Sequence, residues 1–216
     1  TIHDIYKAGQ DIQNNLEREV QARTAKLNML IENGLLMSMT RDRTALIRHT
    51  LFEGRRLLHC DAATLYLRTD RQTLRFSMRT RGDELADQEI PLVDAATGRP
   101  NGRFAATWCA NHKQSVRIDD VYAEDRFDLS GTRSFDAATG FRTVSTLTVP
   151  LIPRGGEVVG VLQFINKLDS ETGAVIPFPA ELVPLVEALA AQAAVTLANL
   201  ALQDAQLAQP EQPEAA

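Results

Sequence analysis

Apolar residues recur along the first forty positions at steps of three, four and seven: Ile5, Ile12, Leu16, Val20, Leu27, Leu30, Ile31 and Leu35, with no proline between Ile2 and Met39. The period predicts one long amphipathic helix, its stripe interrupted by Glu19, Arg23 and Thr24. A partner helix is the simplest cover for that stripe; folding back onto its own domain is the alternative. A second helix is expected over Thr44–His59, where Leu46, Ile47, Leu51, Phe52, Leu57 and Leu58 carry the apolar face.

After His59 the period shortens. Ala62–Arg68 and Leu74–Thr80, separated by the polar stretch TDRQ, read as a hairpin. LVDAATGRPNG ends at Gly102, and a helix is expected from about Arg103 to His112. Val116–Asp119 reads as a brief strand, and Val121–Gly140 as a long polar excursion. Ser145–Ile152 and Val158–Asn166 read as two strands joined by PRGGE, a hairpin signal. From about Pro179 to Gln209 a last helix repeats Val186, Ala193, Leu200 and Leu207 every seven residues, with Leu189 and Thr196 between them, which predicts a coiled-coil-like seam. An antiparallel sheet of five or six strands with helices packed on it is an α+β fold.

Composition narrows the partners. With 44% hydrophobic and 24% charged residues the 216-residue chain has a globular balance, and a net charge of −5 with scattered basic residues gives no field for nucleic acid or an anionic membrane. Cys60 and Cys109 lack CxxC spacing and read as free thiols of a reducing, cytoplasmic compartment. No uninterrupted run of 18 apolar residues appears. The Pro/Ala-rich end AQPEQPEAA reads as a linker, so the expected organisation is a signalling helix over 1–40, a sensory core over 41–178, a C-terminal helix over 179–209 and a tail over 210–216, excised from a longer chain that carries an effector.

The pentapeptide DAATG occurs twice, at 94–98 and 136–140, and DSETG follows at 169–173. Asp accepting backbone N–H bonds, with Gly four residues later, is turn chemistry. The second copy, however, opens FDAATGFRTVSTLTVPL, which GEVVGVLQFINK follows, and this succession resembles the GAF domain family, in particular the tandem-GAF type of cyclic-nucleotide phosphodiesterases and adenylyl cyclases. Asn166, Lys167 and Phe178 match the start of the family's NK…F…DE motif, whereas Leu182 and Val183 stand where its acidic pair is expected and only Glu181 is near. Lys167 is then expected to pair with Asp169 or Glu181.

The resemblance implies an antiparallel sheet with helices on one side, a ligand cavity on the other, and cAMP or cGMP as ligand. It assigns Asp136, Thr139 and Thr143 to polar pocket positions, Thr64 to the first strand, Ala105 and Ala106 to the helix start beside the base, and Gln163 to the cavity side of the last strand. Arg79 and Thr80 stand where an aromatic and an acid are expected, so base stacking falls to Arg79 or Phe135. Asp136 and Thr139 can equally be turn caps, and Gln163 can point outward, although it shares a face with Val161 and Ile165. The helix from 103 offers backbone N–H groups to a cyclic phosphate.

Other chemistry fits poorly. Cys109 lacks an adjacent His for a bilin, two cysteines are too few for a methionine sulfoxide reductase, and His3, His49, His59 and His112 form no HxxxH or HExxH. Neither a Ser/His/Asp set nor a Gly-rich phosphate loop emerges. The expectation is a non-catalytic, metal-free sensory module with no cofactor, forming a parallel homodimer through its terminal helices. A ligandless module for dimerisation and relay is the alternative.

Overall fold

A computed structural model describes residues 7–23, 42–81 and 88–207. The chain divides into two compact units, Thr1–Met39 and Thr40–Ala216. In the first, residues 7–23 form helix α1, as expected, with Ile12 and Leu16 on its exposed surface. The remainder of the long helix expected over 2–39, and the tail over 210–216, lie outside the described residues.

The second unit begins with α2 (Arg43–Leu58). Its start is set by Asp42, whose carboxylate accepts the Thr44 N–H at 2.9 Å, and its end by His59 in the left-handed conformation. Seven strands follow: β1 (Cys60–Arg68), β2 (Thr73–Arg79), β3 (Glu89–Pro91), β4 (Val116–Ile118), β5 (Thr146–Leu151), β6 (Gly160–Leu168) and β7 (Val175–Ile176). They make one antiparallel sheet in the order β3-β2-β1-β6-β5-β4, and β7 adds to the end of β6. Helix α3 (Ala105–His112) precedes β4, α4 (Ser130–Thr139) precedes β5, and α5 (Val183–Leu207) closes the chain after a single 3-10 turn.

Strand alternation sorts the central side chains onto two faces. Ala63, Leu65, Leu147, Val149, Leu162 and Phe164 are buried on one face, under α2 and α5. Contact there is close: a Cβ on Gly54 of α2 would come within 2.8 Å of the Phe164 ring and 3.4 Å of Leu189, so only glycine lets helix and sheet approach this far. On the other face, in-register rows Val116–Thr148–Gln163–Thr64 and Ile118–Thr146–Ile165–Ala62 run across β4, β5, β6 and β1. Helices α3 and α4 lie over this second face.

The structure departs from these expectations in α5, in the excursion over 121–140 and in two short strands. The seam foreseen on α5 is used within the chain: Val186, Leu189, Ala193 and Leu200 are buried, and the large apolar residues exposed along the helix, among the described side chains, are Val195 and Leu202, seven residues apart; the side chain of Leu207 is outside the described residues. By length and composition Ala180–Gln203 would suit a membrane-crossing helix, but its apolar side covers the sheet. The excursion over Val121–Gly140 contains α4, which carries no apolar stripe because its one buried residue is a carboxylate, Asp136. Strands β3 and β7 were unreadable for a simpler reason, since three and two residues are too short to show a period.

Candidate ligand cavity

Between the second sheet face and α3 and α4 lies a cavity of about 550 Å³, a size ordinary for small-molecule sites. Its floor is the sheet: Thr64 from β1, Thr146 from β5, Gln163 and Ile165 from β6. Phe104, Ala105 and Ala106 bring the start of α3 to one wall. Phe104, the N-cap of that helix, makes no side-chain capping bond, so the first N–H groups of α3 are not capped by its side chain. Phe135, Thr139, Gly140 and Phe141 form the α4 wall, and Phe76, Arg79 and Arg81 the β2 wall.

An ion pair and two arginine–aromatic contacts tie the walls together. Arg103, just before α3, forms an ion pair with Asp128, just before α4, at 2.6 Å. Asp128 also accepts from the Ser130 hydroxyl at 2.6 Å and its N–H at 3.0 Å, fixing where α4 starts. These Ser130 bonds, with Arg103 after them, hold the Asp128 carboxyl down at about 2. Across the cavity mouth the Arg79 guanidinium stands 4.8 Å from the Phe135 ring and 5.1 Å from Phe76, while Arg81 stands 5.1 Å from Phe141. Neither arginine has a carboxylate partner among the described residues.

Eight of the ten residues expected at a site line this cavity: Thr64, Arg79, Ala105, Ala106 and Phe135, with Thr139, Thr143 and Gln163. Arg79 and Phe135, weighed as alternative stacking groups, lie against each other. Thr139 also bonds back to the Phe135 carbonyl at 2.8 Å, so part of its hydrogen-bonding capacity is taken by the helix end. Gln163 faces inward, its Nε2 donating to the Thr148 hydroxyl at 3.1 Å.

Thr80 and Asp136 are displaced from the cavity. The Thr80 hydroxyl accepts the Ala63 N–H at 2.9 Å and its own N–H returns to the Ala63 carbonyl, so this residue extends the β1–β2 pairing. Asp136 is 5% exposed and stands behind the wall, accepting from Thr143 N–H and Oγ1 at 2.8 Å each and from the Tyr122 hydroxyl at 2.9 Å. Burial and the bond to Asp136 raise the Tyr122 phenol above its usual range. The DAATG copies therefore differ in structure. Asp94 and Asp169 each cap an exposed turn by accepting two N–H groups and a threonine hydroxyl, with Gly98 and Gly173 left-handed. Asp136–Thr139 instead forms the last turn of α4, and Gly140 is its left-handed cap.

The NK pair serves the fold, with partners other than the expected ones. Asn166, 2% exposed, accepts the Val144 N–H at 2.7 Å and donates to the Arg142 carbonyl at 2.7 Å and to Asp61 at 3.1 Å, which pins the segment after α4 to the sheet. Lys167 donates to the Leu168 carbonyl at 2.7 Å, and no ion pair with Asp169 or Glu181 forms.

Cys109 packs as expected for a core residue, fully buried with its thiol directed to the Thr148 carbonyl. Burial pushes Cys60 up to about 12 and Cys109 above its usual range as well. Both thiols should therefore react with a maleimide at least tenfold more slowly in the native chain than in denaturant, a ratio that mass-resolved labelling measures. Labelling of Cys109 at the free-thiol rate would show that α3 opens readily.

Comparison with known proteins agrees with this architecture. The GAF domain family model matches residues 42–197, and the chain belongs to the GAF domain family, whose members are regulatory small-molecule-binding domains. Over 93 residues it is 32% identical to the dual 3',5'-cyclic-AMP and -GMP phosphodiesterase 11 of Drosophila melanogaster, covering 43% of this chain and 6% of that enzyme. Over 118 residues it is 30% identical to the cGMP-specific 3',5'-cyclic phosphodiesterase of the same organism, covering 51% and 10%. The chain thus spans a tenth or less of these two relatives. Among solved structures it resembles the GAF domain of an Acinetobacter phosphoenolpyruvate-protein phosphotransferase, with a TM-score of 0.63 at 15% identity over 84% of this chain and 98% of that one. It also resembles residues 122 to 287 of a methyl-accepting chemotaxis protein, with a TM-score of 0.60 at 21% identity over 80% and 99%.

Proposed function

We propose that the domain binds a cyclic purine nucleotide, cAMP or cGMP, in the cavity under α4, and relays binding through its terminal helices to an effector in the same chain. The observation that carries this reading is the composition of the cavity: a floor of hydroxyls and an amide, an α3 start without a capping bond from the Phe104 side chain, and two arginines, Arg79 and Arg81, without carboxylate partners among the described residues. Such a site suits an anionic ligand with a polar heterocyclic edge. The relatives that share this segment are cyclic-nucleotide phosphodiesterases, which favours the same ligand class. A ligandless relay module would fill this space with side chains.

Calorimetric titration of the chain with cAMP, cGMP and cyclic dinucleotides tests the reading; saturable binding of one cyclic mononucleotide is the expected result, and no heat with any of them would defeat it. The relay includes a parallel homodimer in which the α1 stripes meet. Ile12 and Leu16, four residues apart, are 68% and 61% exposed, a surface that a second copy of the helix would cover. Sedimentation at tens of micromolar, an order-of-magnitude choice for a modest interface, should give the mass of a dimer, and Leu16→Glu should shift it to monomer. A wild-type monomer there would remove the dimer from the proposal.

A further inference from the structure

We infer that Tyr66, which the sequence did not single out, reads the base of the ligand together with Arg79 and selects guanine over adenine, so that cGMP is the preferred nucleotide. This assignment rests on the proposed cyclic-nucleotide site and extends it to the identity of the base.

Tyr66 lines the cavity from β1 and is 7% exposed. Its hydroxyl makes no hydrogen bond to the described residues. Among those residues, the unbonded side-chain polar atoms sealed from solvent belong to His49, Thr146 and Gln192. The Tyr66 oxygen is not one of them: it is unbonded and open, and on a side chain this buried the cavity is what it opens to. A buried phenol normally finds a partner, and here only what enters the cavity can supply one.

A bulge in β2 brings the second group. Strands β1 and β2 pair Thr64 with Arg79 and Leu65 with Met78, but Tyr66 with Phe76, so Ser77 is an extra residue on β2. Phe76 and Arg79, three residues apart, therefore both reach the cavity, where strict alternation would send them to opposite faces. The Phe76 ring is the common neighbour of the two polar groups, its centroid 4.4 Å from that of Tyr66 and 5.1 Å from the Arg79 Cζ. Held against Phe76 and Phe135, the guanidinium makes no hydrogen bond to the described residues, and none of its nitrogens is sealed from solvent. Burial pushes the Tyr66 phenol up to about 12 against the pull of the Arg79 charge, so the phenol is neutral and keeps a proton to donate.

A phenol proton beside guanidinium N–H groups makes a wall that gives hydrogen bonds, and the guanidinium has no acceptor at all. Guanine presents two acceptors, O6 and N7, along one edge; adenine presents N7 beside an amino group, which would bring N–H against N–H. The arginine fork matches the guanine pair. The cyclic phosphate then falls to the start of α3.

The test measures Kd for cGMP and cAMP, and the thermal midpoint without ligand, in the full chain as wild type, Tyr66→Phe and Arg79→Lys. Wild type should bind cGMP about tenfold or more tightly than cAMP. Tyr66→Phe removes only the oxygen: the ligand-free midpoint should stay within about 2 °C of wild type, and Kd for cGMP should weaken roughly two- to tenfold while that for cAMP changes less than about twofold. Arg79→Lys keeps the charge but loses the fork, and should bring the two nucleotides to within about threefold of each other. Wild type binding cAMP as tightly as cGMP overturns the assignment, as does a cGMP preference undiminished in the variants. Equal losses for both nucleotides overturn it too, because the pair would then meet the phosphate or ribose that they share. A lower ligand-free midpoint in Tyr66→Phe, or failure to fold, would show the oxygen bonded within the chain and has the same consequence. Wild type binding neither nucleotide overturns the cyclic-nucleotide reading and this assignment with it, whereas a preference for cAMP overturns the assignment alone.

Discussion

Asp136→Ala should lower stability by about 3 kcal/mol and the thermal midpoint by roughly 10 °C, and it should abolish ligand binding through the loss of the α4 wall. The carboxylate is nearly inaccessible and receives three donors from outside its own helical turn: the Thr143 N–H, the Thr143 hydroxyl and the Tyr122 hydroxyl. Removing it strands those donors, and each buried donor left without a partner costs about 1–3 kcal/mol. Tyr122 lies upstream of α4 and Thr143 downstream, so this one side chain joins the segments that enter and leave the helix. Asp94→Ala removes the corresponding side chain from the identical pentapeptide, where water replaces it on an exposed turn, and stability should change by only a small fraction of that amount. Parallel thermal melts of the two variants decide the matter. Equal midpoints would mean that the carboxylate behind the cavity wall is as dispensable as a surface turn. Normal affinity in a well-folded Asp136→Ala chain would show that α4 is held by something else.

Asn166→Ala should be about as damaging, near 3 kcal/mol, for two separable reasons. Its amide satisfies the Val144 N–H and the Arg142 carbonyl, and its backbone sits at φ 58°, where a Cβ without a compensating polar side chain is strained. Asn166→Gly removes the amide but tolerates the backbone, so it should recover about 1 kcal/mol of the alanine loss. Denaturant unfolding of wild type, alanine and glycine variants separates the two contributions. If alanine and glycine are equally stable, the left-handed backbone carries no cost; if both match wild type, the segment after α4 does not depend on this clamp. Asp136 and Asn166 hold the same stretch, residues 141–145, from its two sides, so their effects should not add.

Much of the site was legible because strand periodicity is rigid. Alternation puts Val161, Gln163 and Ile165 on one face, and the two apolar neighbours favour the cavity side for Gln163 over the outward direction. Thr143 could be assigned because it closes the FDAATGFRT signature, and Thr64 because the resemblance carries that position onto the first strand. Thr146 lines the floor although the sequence does not single it out, because its place depends on its register with Ile118 and Ile165, one of which comes from a strand of only three residues. Asp136 was read as a pocket residue or a turn cap; its partners lie at Tyr122 and Thr143, in segments without a period.

The sequence by itself determined the α+β class, the position of α2, the β1–β2 and β5–β6 pairs, the membership in the GAF family and eight of the residues that line the cavity, because these rest on local periodicity and on motifs that act over a few residues. Only the tertiary structure decided that the heptad-like positions of α5 face its own domain, that α4 is a helix organised around a buried carboxylate, and that Arg79 lies against Phe135 at the mouth. A seven-residue repeat states that a helix has an apolar side without stating what covers it, and a buried acid breaks the apolar pattern while satisfying the rule beneath it, that buried polar groups must find partners. Those partners are distant in sequence, and folding alone brings them together.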